Sequence, residues 1–130
     1  PYIGELPALL KEAVRLATER ITPEDLQELE ELARQPRKQQ GRRFHSIIAA
    51  SSRWGVLAET IESLMDKSSR TRALFSQAQD RMSDDALQSA HGHEPIVEGI
   101  REHAAEKAAL AMELHLNEAR ERVLKAIAMI

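Results

Sequence analysis

Apolar residues return every three or four positions along most of the chain, which is the spacing of one buried face on an α-helix. The first such stretch predicts a helix from about Leu6 to Arg20. A second helix follows directly, with Thr22 as its N-cap and Pro23 as its first residue. Pro36 ends this second helix, because the residue before a proline disfavours helical backbone.

The same pattern predicts two helices in the middle of the chain. The third runs from about Gln40 to Ser51, and Gly55 is the predicted break after it. The fourth is long, from Leu57 to Met82, and its apolar stripe becomes small and polar at Ser68 and Thr71. We expect these two polar positions to face something other than tightly packed core.

The last part of the chain predicts two more helices after a break. Residues Ser83 to Gly92 are rich in helix breakers and predict a long loop or a short extra helix. Pro95 then fits the first turn of a fifth helix, where its missing N–H costs nothing. A final helix covers roughly Ala104 to Ala128. The pattern therefore predicts six helices in one bundle.

Length and composition agree with a small all-α domain. The chain has 130 residues and a formal net charge of −3, which predicts one domain spanning residues 1–130. Only 3% of the residues are aromatic, and most of the apolar residues are Ala or Leu. This composition favours helices over sheets. Because the sequence begins with Pro1 rather than Met, we expect a processed product or a piece of a longer protein.

The cysteine count and the hydropathy limit the cellular compartments and the kinds of chemical site that the sequence allows. Cysteine is absent, which excludes disulfides, thiolate catalysis and cysteine-type zinc sites and fits a reducing compartment. No apolar run approaches the roughly 20 residues of a membrane span, and no signal peptide is evident. We therefore expect a soluble, cytoplasmic protein that does not interact with membranes.

Three of the five histidines lie on predicted apolar stripes, namely His45, His93 and His115. A neutral imidazole is a good ligand for zinc, nickel, copper or iron, and three of them leave coordination positions open for water or a ligand. The alternative is that each is a core histidine hydrogen-bonded to a carbonyl or carboxylate. Spacing along the sequence does not decide between a shared metal site and three separate core residues.

Other chemical signals are weak. The sequence has no Glu-x-x-His pair, no glycine-rich phosphate loop, no nucleophile elbow and no HExxH, which disfavours di-iron enzymes, P-loop nucleotide hydrolases, α/β-hydrolases and zinc proteases. The segment from Arg34 to Arg43 holds five basic residues and no acid. It predicts either a phosphate-contacting patch or a solvated connection between two helices.

Four stretches of the chain carry a family resemblance, in this order: FHSIIAASS, VLAETIESL, GHEPIVEGI and EHAAEKAALAMELHLNEAR. Together they resemble the FCD domain, the C-terminal effector domain of GntR-type transcription regulators of the FadR branch. The matching positions are Phe44-His45, His93 followed by Ile96 and Ile100, and His115, which lies 115 − 93 = 22 positions after His93. The resemblance extends over almost the whole chain.

The resemblance implies an antiparallel bundle of six or seven helices with a buried pocket that often holds a divalent metal, here zinc or nickel. It implies a small carboxylate effector on or beside that metal, and a homodimer. Members of the family read DNA through an N-terminal winged helix-turn-helix, and we expect that module to be absent from these 130 residues. We therefore expect contact with DNA only through such an attached domain.

The sequence also departs from the family pattern. Gly41 stands where the family has its metal-binding Asp, so three histidines of the usual four-ligand set are left, and we expect weaker metal affinity. Pro7 and Lys11 stand where members commonly carry Arg and Glu in the first helix. Trp54 stands where Asn is common, and it is expected either to close a pocket or to anchor the helix junction.

Candidate effector-binding residues lie on the predicted fourth helix. Ser68 and Thr71 interrupt its apolar stripe, and Arg72 flanks the same face, where its guanidinium suits a bidentate pair with a carboxylate. The alternative is that the two hydroxyls bind backbone carbonyls and that Arg72 pairs with a surface acid.

The sequence thus predicts a non-enzymatic, ligand-sensing and dimerisation domain of a transcription regulator. Two alternatives stay open at this point. One is a metal-dependent enzyme that uses the open positions of a three-histidine site. The other is an interaction module in which the buried histidines are structural.

Overall fold

The computed structural model describes residues 2–35, 37–67 and 92–128 of the chain, and all regular structure in these ranges is α-helical. The helices in order are α1 (Tyr2–Arg20), α2 (Pro23–Arg34), α3 (Arg37–Ser51), α4 (Gly55–Lys67), α5 (Glu94–Arg101) and α6 (Ala105–Ala128). This confirms the prediction of an all-α helical bundle.

The start of α2 follows the predicted capping. The Thr22 hydroxyl oxygen accepts a hydrogen bond from the Asp25 backbone N–H at 3.2 Å, and Pro23 is the first helical residue. This hydrogen bond satisfies one of the backbone donors that a helix leaves open at its N-terminus. The acidic Glu24 and Asp25 also suit the positive end of the helix dipole.

The break between α3 and α4 differs from the predicted one. Gly55 is the first residue of α4 and not the residue that separates the helices. The break lies at residues 52–54, where the Ser52 hydroxyl donates to the Ala49 carbonyl at 2.7 Å and accepts from the Trp54 N–H at 3.3 Å. A serine side chain that binds nearby backbone groups competes with the helix, so a glycine is not required to end it.

Helix α3 contains an irregularity that the apolar pattern does not show. It begins at Arg37 rather than Gln40, and the backbone at Gly41 leaves helical geometry with φ 35° and ψ −136°. Glycine suits this position because a positive φ is costly for residues that carry a Cβ. Phe44 and His45 therefore follow a kink rather than a continuous helix.

The predicted fourth helix lies only partly within the described residues. Helix α4 covers its beginning, while the remainder to Met82 and the predicted loop up to His91 lie outside the described residues. The fifth helix starts as expected, with Pro95 in its first turn. Among the described helices, none is long and apolar enough to cross a membrane.

Helix α1 is central to the packing, because it contacts α3, α4, α5 and α6. The core takes buried apolar side chains from every described helix, as the three-to-four residue spacing predicts. These are Leu10, Ala13, Val14 and Ala17 of α1, Leu29 of α2, Phe44, Ile47, Ile48 and Ala49 of α3, Leu57, Ile61 and Met65 of α4, Ile96, Val97 and Ile100 of α5, and Ala108, Ala109 and Met112 of α6.

A tight hairpin joins α5 to α6 through residues 102–104. A Cβ at Gly99 would lie 2.7 Å from both the Cα and the backbone nitrogen of Ala108, so the two backbones are nearly in contact there. The Ala104 N–H donates to the Gly99 carbonyl at 2.9 Å, and His103 turns the chain with a φ of 56°. Only glycine permits this approach, because any side chain would meet backbone rather than a movable group.

We expect Gly99→Ala to destabilise the fold by about 1–3 kcal/mol, because the added methyl group overpacks a contact between two backbones. Urea denaturation followed by circular dichroism measures the change. Gly55→Ala is the matched control, since nothing lies within 4 Å of a Cβ at that position. Equal effects of the two substitutions would contradict the proposed close approach.

Candidate metal centre

The three histidines of the apolar stripes come from three separate elements of the fold. His45 lies in α3 shortly after the Gly41 kink, His93 is the residue that precedes α5, and His115 lies near the middle of α6. His93 and His115 are each 7% exposed, and His45 is half-buried. All three side chains are thus withdrawn from solvent to a large extent.

The histidines converge. One ring nitrogen of each lies within 4.8 Å of the others. The Nε2 atoms of His93 and His115 are 3.1 Å apart, and their ring centroids are 4.4 Å apart. The His45 ring centroid lies 5.3 Å from that of His93 and 5.6 Å from that of His115. The chain therefore brings together all three residues that the sequence selected.

The α5–α6 hairpin explains why His93 meets His115. The backbones touch at Gly99 and Ala108. His93 lies 99 − 93 = 6 residues before this contact and His115 lies 115 − 108 = 7 residues after it. At about 1.5 Å of rise per residue, these separations are about 9 Å and about 10.5 Å. Because the two helices run antiparallel, the two rings lie at nearly the same distance from the Gly99–Ala108 contact and therefore beside each other.

The distance between two of the three donors suits a shared divalent metal, and it also suits a hydrogen bond between the two rings. Two nitrogens at 2.0–2.1 Å from one ion are about 3.3 Å apart in tetrahedral geometry and about 3.0 Å apart at a right angle. The observed 3.1 Å between the Nε2 atoms of His93 and His115 lies between these values. Imidazole nitrogens suit zinc and nickel, and a site with three protein ligands keeps at least one coordination position open.

The cluster contains no carboxylate. Within the described residues, the ligand atoms that lie within 4.8 Å of one another belong to histidines only. Gly41 is exposed and non-helical, so its backbone also departs from the helix that would carry an Asp there. Three neutral imidazoles leave the charge of a divalent ion uncompensated, and an anion therefore suits the open positions.

Two arginines of the basic segment, Arg42 and Arg43, pair with acids of the chain, and Arg43 binds Glu28 at 2.8 Å. The Arg42 guanidinium binds Glu62 at 2.8 Å and also binds Asp66. These hydrogen bonds raise the pKa of Arg42. Burial raises the pKa of Glu62, but hydrogen bonds from Ser46 and Arg42 lower it, and the net pKa lies below its usual value. This pairing supports the reading of the segment as a structural connection between helices.

The structure describes three positions that depart from the family pattern, namely Lys11, Pro7 and Trp54. The Lys11 ammonium pairs with Glu113 at 2.9 Å and so links α1 to α6. Pro7 lies inside α1 without ending the helix. Trp54 is 52% exposed, and its carbonyl accepts the Ala58 N–H at 3.0 Å, which places it at the α3–α4 junction. The predicted effector-binding residues Ser68, Thr71 and Arg72 lie outside the described residues.

Sequence reasoning placed Phe44 in the core but missed its relation to the histidines. Its ring stacks on the His93 ring, with centroids 3.9 Å apart and planes inclined by 4°. It also meets His45 edge to face, at 5.8 Å and 88°. The one available signal is that Phe44 precedes His45 in the chain, and this adjacency does not reveal contact with a residue 93 − 44 = 49 positions away.

Comparisons with known proteins identify the family. The model of the FCD domain matches residues 7–118 of the chain. The comparisons with curated proteins and with solved structures gave no match. The matched range includes the three histidines, the hairpin that joins two of them, and most of the described core. The chain therefore belongs to the FCD family, the C-terminal effector-binding domains of GntR-family transcription regulators.

Proposed function

We propose that this domain senses a small organic acid through a divalent metal held by His45, His93 and His115, within a regulator of the FadR branch. The observation that carries the proposal is the convergence of these three side chains from α3, the start of α5 and α6. Their ring nitrogens supply neutral donors, and zinc or nickel is the metal that such donors suit.

The charge of the site favours a carboxylate ligand. A divalent ion bound by three neutral imidazoles keeps its full positive charge in a largely buried setting. With Gly41 at the position of the family Asp, an effector carboxylate supplies the anionic ligand that the described part of the chain does not provide at the cluster. Metal and carboxylate then bind cooperatively, and each raises the affinity for the other by the same factor.

The domain acts by shifting a conformational equilibrium and needs no catalytic step. Its three ligands lie on separate elements, so a bound metal and effector favour the arrangement of α3, α5 and α6 that suits coordination best. A ligand that binds one arrangement more tightly changes the populations of the two. In the cytoplasm, such a shift changes the placement of an attached DNA-binding domain.

A homodimer is part of the proposal, because it places two DNA-binding domains side by side. Helix α6 offers a surface for it: Leu110, Leu114 and Leu124 are 56%, 41% and 46% exposed. At 3.6 residues per turn, these three leucines lie within an arc of about 80°. Leu110 and Leu114 lie one turn apart and form an exposed apolar pair, and contiguous apolar surface of this kind marks interaction sites when it is extended.

We expect light scattering to give twice the mass of a single chain, and the double substitution Leu110→Glu with Leu114→Glu to halve it, because two carboxylates oppose burial of this face. Val56→Glu is the control, since Val56 is a 68% exposed apolar residue on α4. A monomeric parent chain would disprove the homodimer.

We expect the purified chain to retain nearly stoichiometric zinc or nickel after dialysis against a trace of the metal. His45→Asn, His93→Asn and His115→Asn should each weaken binding by at least about 100-fold, since loss of an outer-shell partner alone costs 10–100-fold. Elemental analysis and competition titration with a chelator measure the occupancy and the affinity.

His103→Asn is the matched control for these substitutions. His103 is an exposed histidine outside the cluster, and Asn tolerates its positive φ well. If the parent chain retains no metal, or if the three variants retain as much as the parent, the histidines are structural and the proposed metal site is wrong.

We expect acetate, lactate or succinate to raise the thermal midpoint of the zinc-loaded chain and to leave the metal-free chain unchanged. Arg72→Ala should lower carboxylate affinity by about 10- to 100-fold, the range of a charge-assisted hydrogen bond, without changing zinc affinity. Arg72→Lys keeps the charge and tests the bidentate contact. Equal carboxylate affinity with and without zinc would contradict the metal-linked mechanism.

A further inference from the structure

The Phe44 side chain contacts two of the three histidines at once. It is fully buried, it stacks face to face on His93 with centroids 3.9 Å apart, and it presents an edge-to-face contact to His45. The planes of Phe44 and His93 differ by only 4°. Phe44 therefore forms one wall of the histidine cluster.

Phe44 contributes to the orientation of the His93 ring, together with the 3.1 Å contact between the Nε2 atoms of His93 and His115. The lone pair of an imidazole nitrogen lies in the plane of the ring, so the ring plane decides where the nitrogen can bind a metal. The χ2 torsion of histidine is broad and does not fix this plane by itself. The parallel Phe44 ring restricts rotation of the His93 ring out of its observed plane.

The stack also has an electronic consequence. A phenyl ring carries negative charge density on its face. An imidazole that binds a metal cation loses electron density to it. Its ring then carries positive charge density, and cations are attracted to the face of an aromatic ring. The contact between Phe44 and His93 is therefore stronger when His93 holds a metal than when it does not.

We propose that Phe44 is a positioning residue for the metal centre, which holds the His93 imidazole in its ligating plane and preferentially stabilises its metal-bound form. This inference rests on the proposed function of the three histidines. It assigns to Phe44 a role beyond filling the core, and the two roles predict different results when the shape and the charge distribution of the ring are changed separately.

The first experiment changes the charge distribution and keeps the shape. Phenylalanines with one, three and five ring fluorines are incorporated at position 44 alone, which progressively removes the negative charge density of the ring face. Zinc affinity is measured by competition titration, and the unfolding of each metal-free protein is measured in parallel. We expect zinc affinity to fall stepwise by about 2- to 10-fold in total, the range expected for an aromatic pair.

The second experiment removes the stack. In Phe44→Leu, we expect the visible absorption spectrum of the cobalt-substituted protein to shift, because a reoriented His93 leaves a position that water fills. Leu29→Ala is the control: Leu29 is fully buried on α2, which supplies no histidine. It should destabilise the fold while leaving the cobalt spectrum and the zinc affinity unchanged.

The outcomes separate this inference from the proposed function. If the parent chain binds zinc through the three histidines but fluorination has no effect and Phe44→Leu leaves the cobalt spectrum unchanged, Phe44 is a core residue only and the inference is wrong. If the parent chain binds neither zinc nor cobalt, the proposed metal site fails and this inference fails with it. A stepwise loss of zinc affinity without matching loss of apo stability supports it.

Discussion

The contact between the backbones of Gly99 and Ala108 is the constraint on which the candidate site depends. It leaves no room for a Cβ and holds α5 and α6 closer together than ordinary side-chain packing allows. The two helices run antiparallel, and each rises by about 1.5 Å per residue. The contact therefore also sets which residues of α5 and α6 face each other at greater distances from it. The pair that results at the far end is His93 and His115, with Nε2 atoms 3.1 Å apart.

The rest of the bundle brings the third ligand to this pair. Helix α1 packs against α3 and also against α5 and α6, so it helps to set the distance between His45 and the hairpin. The ion pair between Lys11 and Glu113 joins α1 to α6 at its surface. Phe44, one residue before His45, reaches across to stack on His93. The core and the candidate site thus share the Phe44 side chain.

This arrangement suits a sensor. Among the described residues, each of the three clustered histidines belongs to a different element, so the geometry of the proposed site depends on how these elements sit relative to one another. A site built from two histidines of one helix would be nearly insensitive to such movement. In the proposed mechanism the effector takes the anionic position, because the described part of the cluster holds no carboxylate, and this links metal binding to ligand binding.

Much of the fold was predictable because helices are local. The repeat of apolar residues, the Thr22 cap and Pro23 depend on neighbours three or four positions away, and the structure agrees with them. Helix boundaries were less predictable. The chain breaks at Ser52 through side-chain hydrogen bonds to its own backbone, while Gly55, the expected breaker, starts the next helix. Breaker residues indicate where a helix can end, and the available hydrogen bonds determine where it does.

The sequence by itself determined the all-α class, the buried faces of the helices and the choice of His45, His93 and His115 as residues on apolar stripes. It did not determine that the three rings meet, because spacing along a chain gives the face of each helix and not the distance between helices. The close approach of Gly99 to Ala108, the packing of α1 against α3 and the hairpin, and the stack of Phe44 on His93 are all contacts between different helices or their ends. Only the tertiary structure decided them, since packing in three dimensions, and not local propensity, places one helix against another.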